Sequence, residues 1–101
     1  MNITTKQTGS ETVLALSGRF DFNSHRDFRN SYEAALQNTA TRTINLNMTQ
    51  VDYLDSSALG MLLLLNEKAR AANMEVVISD PPPSVRKIIE VANFSKIFRI
   101  I

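Results

Sequence analysis

The sequence predicts an α/β fold: a mixed sheet of four or five strands with helices packed against it, in the order β-β-α-β-α-β-α-β. Three observations carry this. Short β-type stretches alternate along the chain with segments of helical periodicity, the pattern of α/β architecture. Each of the three helical segments is followed by an asparagine, at Asn38, Asn73 and Asn93. Asparagine is the usual non-glycine residue at the left-handed position that ends a helix. The composition, 44% hydrophobic and 21% charged over 101 residues, is that of an ordinary globular protein. At about 150 residues per domain the chain makes one domain, 1–101. Folding at this size buries roughly 65% of the extended chain's surface, enough for one core.

The elements follow in order. Residues 2–7 and 12–17 read as strands joined by a hairpin at Thr8-Gly9-Ser10. Leu14 and Leu16 take one face of the second strand, with Thr12 and Ala15 opposed. From Ser24 to Gln37 the apolar residues Phe28, Tyr32, Ala35 and Leu36 form a helical stripe. Ser24 with Asp27 resembles an N-cap with an acidic first turn. Residues 42–48 alternate, with Ile44, Leu46 and Met48 against Thr43, Asn45 and Asn47, as a strand does. Ala58 to Arg70 is rich in Leu and free of β-branched residues, which selects helix. Its first half, Met61 and Leu62 to Leu65 included, is expected to be core on nearly every side. Met74 to Ile78 is a strand. Val85, Ile88, Ile89 and Ala92 give a third helix, with Pro83 at its start where a missing N–H does no harm. Ile97 to Ile101 is the last strand.

Composition also excludes function classes. There is no cysteine, so disulfides, thiolate chemistry and Cys-based zinc sites are out. The single histidine, His25, argues against a His-rich metal site or a Ser/His/Asp triad; it is expected on the surface of the first helical turn. Eleven Lys and Arg against ten Asp and Glu leave a net charge of +1 with no basic block, so nucleic acid is not an expected partner. The longest apolar run, Ala58 to Leu65, falls far short of the ~20 residues of a membrane span. The first residues have no basic stretch followed by an apolar one, so no signal peptide is expected. Cytoplasmic location, no membrane contact, no metal and no cofactor are the expectations.

Strands linked through helices run parallel, so their carboxyl ends share one edge of the sheet, where α/β folds favour their sites. Three loops are expected there: Gly18 to Asn23, Thr49 to Asp55, and Ser79 to Pro83. The middle loop leads into Asp55-Ser56-Ser57 at the head of the apolar helix. Backbone N–H groups and the helix dipole converge at such an end, which favours a phosphate on a serine there. The plainer reading is that Asp55 or Ser56 is only an N-cap. Asp21 falls on the same edge, as a contact near that hydroxyl or as a turn residue beside Asn23. Phe20, Phe22, Tyr53 and Leu54 flank both loops. At least two should pack in the core, and the rest would rim a partner-facing surface.

Asp55-Ser56-Ser57-Ala58-Leu59-Gly60 resembles the phosphorylation motif of the single-domain STAS proteins, the anti-sigma factor antagonists. Their usual form is Asp-Ser-Ser/Thr-Gly-Leu-Gly, so Ala58 stands where glycine is commoner. Gly18-Arg19-Phe20-Asp21, Pro83-Ser84-Val85-Arg86-Lys87-Ile88 and Asn93-Phe94-Ser95-Lys96-Ile97-Phe98 resemble other segments of the family, and the likeness spans the chain. The resemblance implies a STAS fold and phosphorylation at Ser56. The kinase would be an ATP-using serine kinase that doubles as anti-sigma factor, and a PP2C-type phosphatase would remove the phosphate. It implies that the unphosphorylated form binds the kinase or another partner, and the residues expected at that contact, from their place on the edge, are Asp21, Phe22, Tyr53, Asp55 and Ser57.

A non-enzymatic phospho-switch is therefore the first expectation. The alternative is an unphosphorylated STAS binding subunit of a transporter or signalling scaffold. An enzyme built on Asp52 and Asp55 is disfavoured, because no acidic pair follows the first strands and no Gly-rich phosphate loop or Gly-x-Ser-x-Gly is present.

Overall fold

The middle strand of the sheet, β3 (Thr43–Leu54), is flanked on both sides by parallel partners in the computed structural model, which describes residues 1–101. On one side lie β2 (Glu11–Phe20) and then β1 (Asn2–Thr8), paired antiparallel through the hairpin; on the other lie β4 (Glu75–Ser79) and β5 (Arg99–Ile100), both parallel. The order in space is the order in sequence, β1-β2-β3-β4-β5. Helices α1 (His25–Gln37), α2 (Ser56–Ala71) and α3 (Pro83–Val91) make the crossovers. Right-handed crossovers between strands laid down in chain order put every helix on the same face. The core agrees: Leu14, Leu16, Ile44, Leu46, Met48, Val76 and Ile78 of the strands meet Phe28 and Tyr32 of α1, Leu62 and Leu65 of α2, and Val85 and Ile89 of α3. The other face of the sheet has no helix and is mostly polar. There Asn45 accepts from Ser79 Oγ at 2.6 Å and donates to Glu11 at 3.3 Å. No helix is long and apolar enough to cross a membrane.

The expected element order and the mixed sheet hold, with five strands. Several local expectations do not. Thr12 lies on the core face with Leu14 and Leu16, not opposite them, because all three are even positions of one strand. Its burial is tolerated because its hydroxyl bonds Thr41 Oγ1 at 2.8 Å and reaches Gln7. Asn73 and Asn93 are left-handed as expected, with φ of 59° and 61°. Asn38 is extended at φ −79°; its side chain accepts from the Ala40 N–H at 3.0 Å and donates to Gln7 at 3.2 Å, a turn made by the side chain rather than by backbone handedness. The last strand is shorter than expected, because the N–H groups of Ile97 and Phe98 bond back to the Phe94 carbonyl and continue the tight turn begun at Phe94–Lys96. α2 is not core all round: Leu63 and Leu64 are 39% and 43% exposed, because one layer of helices leaves each with an outer face.

β3 also runs to Leu54, where a loop from Thr49 was expected. Two bulges explain it. Between Ala15 and Ser17 of β2 the partner on β3 jumps from Asn47 to Gln50, and between Gly18 and Arg19 from Val51 to Tyr53. Each bulge breaks the alternation of two that marks a strand in sequence. Gly18, at φ 92°, takes a conformation that L side chains rarely adopt, beside the second bulge.

Truncating Leu46, which is wholly buried, should cost about 2–5 kcal/mol. The same change at Leu64 should cost under about 1 kcal/mol. Urea unfolding midpoints of Leu46→Ala and Leu64→Ala check the single-sided core; similar losses for the two would contradict it.

Candidate functional site

Asp55 joins two of the loops at the carboxyl edge of the sheet. It is the N-cap of α2, extended at φ −98°, and its Oδ1 accepts the Ala58 N–H at 2.8 Å. Its Oδ2 accepts the Phe22 N–H at 3.2 Å, and its own N–H donates to the Phe20 carbonyl at 3.3 Å. One carboxylate therefore satisfies an orphan donor of the helix and ties down the chain after β2. With both oxygens so used, Asp55 is a structural cap, as the plainer sequence reading allowed.

That tied segment has its own cap. Phe22–Ser24 is a single tight helical turn, and Asp21 Oδ1 accepts from the Asn23 N–H at 2.9 Å. The Asp21 N–H donates to Ser24 Oγ at 3.2 Å, which closes a reciprocal capping box. Ser24, expected to cap α1 with its side chain, instead donates to the Arg19 carbonyl at 3.2 Å; the extra turn claims its hydroxyl first. Asp21 Oδ2 takes the Arg19 Nε–H at 3.2 Å, and the Arg19 guanidinium lies 4.2 Å over the Tyr53 ring. With 62% of the Arg19 side chain exposed, the ion pair adds little stability. What it adds is geometry: Arg19 holds Asp21 and Tyr53 together across β2 and β3.

Ser56 is the first residue of α2 and is exposed; Ser57 is half-buried. Phe22 is 71% exposed and Tyr53 38%, while Phe20 and Leu54 are buried. Two of the four flanking residues thus pack inward and two stand at the rim. Asp21, Phe22, Tyr53, Asp55, Ser56 and Ser57 all lie on this edge, around a hydroxyl that a partner can reach. His25 is exposed at the head of α1. Arg19 was missed in sequence. Its contact with Tyr53 depends on the second bulge, which alternation does not reveal; its place in Gly18-x-x-Asp21 was the only signal.

The site can present a hydroxyl at a helix N-terminus, where the dipole favours added negative charge. Asp52 is exposed on β3, and Asp55 is committed to its two N–H groups.

Comparison with known proteins gives a consistent answer. A family model described as Mlab, STAS domain, matches residues 3–100. A STAS-domain containing protein of Pseudomonas aeruginosa is 41% identical over 92 residues, which is 91% of this chain and 89% of that protein. An anti-sigma F factor antagonist of Paenibacillus polymyxa is 27% identical over 92 residues, 87% of this chain and 75% of that one. Among solved structures, the anti-sigma factor antagonist SpoIIAA in its unphosphorylated form superposes with a TM-score of 0.83 at 22% identity, covering 99% of this chain and 88% of that one. Its phosphorylated form, from Bacillus, gives 0.75 at 21%, covering 99% and 91%. At that identity the structural likeness is one of fold.

Asp55→Ala should lose about 1–2 kcal/mol in urea unfolding, since it removes a cap and a loop tie together. Asp55→Asn keeps one carbonyl oxygen for Ala58 and turns an amide N–H toward Phe22. Its stability should fall less, while amide exchange at Phe22 speeds up. Unchanged exchange at Phe22 in both variants would show that the bridge does not hold the loop.

Proposed function

The chain belongs to the STAS domain family, and from that premise we propose that it is an anti-sigma factor antagonist controlled by phosphate on Ser56. It is a binding protein rather than an enzyme. Unphosphorylated, it binds a serine kinase that doubles as anti-sigma factor, or a downstream partner. The kinase transfers the terminal phosphoryl group of ATP to Ser56 Oγ, releasing ADP, and the bound form is lost. A PP2C-type phosphatase hydrolyses the ester and resets the switch. The reading places the protein in the cytoplasm, where ATP is.

The observation that carries this is the exposed Ser56 hydroxyl on the first turn of α2, directly after a capped Asp55. The cap fixes where the hydroxyl sits, and Ser57 beside it is less accessible. Asp21, Phe22 and Tyr53 lie on the same edge of the sheet and add one acid and two exposed aromatic rings to it, a surface suited to a partner. The name of the Paenibacillus relative and the two forms in which SpoIIAA was solved support the same reading.

Phosphate would add about −1.5 to −2 charge. At an exposed helix N-terminus the fold tolerates it, so the effect should fall on binding. A partner that seats a neutral hydroxyl among apolar groups would have to desolvate a dianion instead. Ser56→Ala should bind the cognate kinase constitutively and Ser56→Asp weakly, and both should melt within about 5 °C of the parent. Incubation with that kinase and ATP, followed by intact mass measurement, should add one phosphate to the parent and to Ser57→Ala, and none to Ser56→Ala. Phosphate on Ser56→Ala would move the site. A parent that takes none would return the chain to the alternative, an unphosphorylated STAS subunit of a transporter or scaffold.

A further inference from the structure

A second feature adjoins Ser56. Lys68 of α2 meets Glu33 of α1 at 3.5 Å, so that flank of α2 faces α1. Leu59, nine residues earlier, is half a turn away around the helix and faces α3. Between α2 and α3 lies an open groove of about 350 Å³ lined by Leu59, Ser84, Lys87, Ile88, Val91 and Ala92. Val91 in its lining is 76% exposed, and the apolar surface continues past the cavity to Leu63, one turn beyond Leu59, at 39% exposure. The lining on α3, from Ser84 to Ala92, runs about two turns, with Leu59 and Leu63 facing it from α2. That is the spacing that receives the i, i+3 and i+7 side chains of a helix.

The charges choose the occupant. Lys87 is the one charged residue lining the groove, and no acid does. Arg70, seven residues after Leu63, continues the same flank of α2 beyond the cavity, with the exposed Glu67 set about 60° further out around the helix. Ser56 begins that flank, three residues before Leu59 and seven before Leu63. We propose that the α2–α3 groove docks an amphipathic helix of a partner protein, apolar on one side and acidic on its flanks, with Ser56 at the groove's upper lip. An acidic occupant is drawn by Lys87 and Arg70 and repelled by a phosphate on Ser56, so binding is lost without any movement of the fold. The repulsion rests on the reading of Ser56 given above; the docking does not.

Two blocked peptides of about 14 residues, four helical turns, supply the probe. Both carry leucine at the anchor positions; one has Glu on its flanks and the other Lys. Each is titrated into the isotope-labelled full chain at low salt, and amide and methyl shifts are read. The Glu peptide should shift Leu59, Ile88 and Val91 and bind at least about tenfold tighter than the Lys peptide. Lys87→Glu, at an exposed position that should not disturb folding, should reverse that preference. Ser56→Asp should weaken the Glu peptide. Equal affinities, or shifts confined to another face, would overturn the docking proposal. So would concentration-dependent shifts at Leu59 and Val91 without peptide, which would assign the groove to a second copy of the chain. Reversal by Lys87→Glu with no effect of Ser56→Asp would keep the docking and refute the repulsion.

Discussion

The arrangement depends on one constraint: strands β2 to β5 are laid down in chain order, and every helical crossover has the same hand. All three helices must then share a face, and the carboxyl ends of the parallel strands must share an edge. The first consequence makes the core single-sided. Leu14, Leu46 and Ile78 are buried, while the opposite face carries Asn45, Ser79 and Glu11 in a hydrogen-bonded row. The second brings the segments after β2 and β3 together at one edge without any long loop. It also explains the outer face of α2: with no second helical layer above it, Leu63 and Leu64 have nothing to pack against.

The bulges turn that edge into a defined surface. Without them β2 and β3 would keep strict alternation, and Arg19 and Tyr53 would not be partners in register. With them the guanidinium of Arg19 covers Tyr53 and holds Asp21, while Val51 and Leu54 turn inward at a spacing of three. Asp55 then closes the arrangement by serving both the helix and the Phe22 segment. An exposed aromatic such as Phe22 would ordinarily sit on a loose loop. Here its backbone is fixed from one side by Asp55 and its turn from the other by the Asp21–Ser24 capping box, which lowers the ordering entropy a partner must overcome.

What could be read in the sequence follows physical locality. Helix positions were legible because α1 and α3 carry a repeated apolar stripe and α2 a leucine-rich run free of β-branched residues, and after α2 and α3 a left-handed asparagine follows. Thr43 to Met48 was legible because one strand face is buried and the other is not. The rest of β3 was hidden because bulges depend on the partner strand and leave no period in the chain itself. Asn38 misled because asparagine can end a helix by its side chain as well as by its backbone. At the site, Ser56 and Asp55 could be placed at a helix head from local signals. The bridge to Phe22, 33 residues away, could not, and neither could the Arg19–Tyr53 stack. The leucine run gave buried and exposed faces alike, since a sequence of leucines does not say how many layers will cover it.

On the proposed reading, the helix head separates the effect of phosphate on folding from its effect on binding. The dipole of α2 favours an anion at Ser56 by about 0.3–1 kcal/mol when exposed, and the Asp55 carboxylate next to it opposes that in the same screened setting. The two terms are small and of opposite sign, so the isolated protein hardly registers the charge. A partner surface closing over Ser56 removes the water that made both terms small. The dianion then loses its solvation, and the Arg19 guanidinium on the same edge is already engaged by Asp21 and the Tyr53 ring. A charge that is nearly silent in solution becomes expensive only within the complex, which is what a switch that must leave its own fold intact requires.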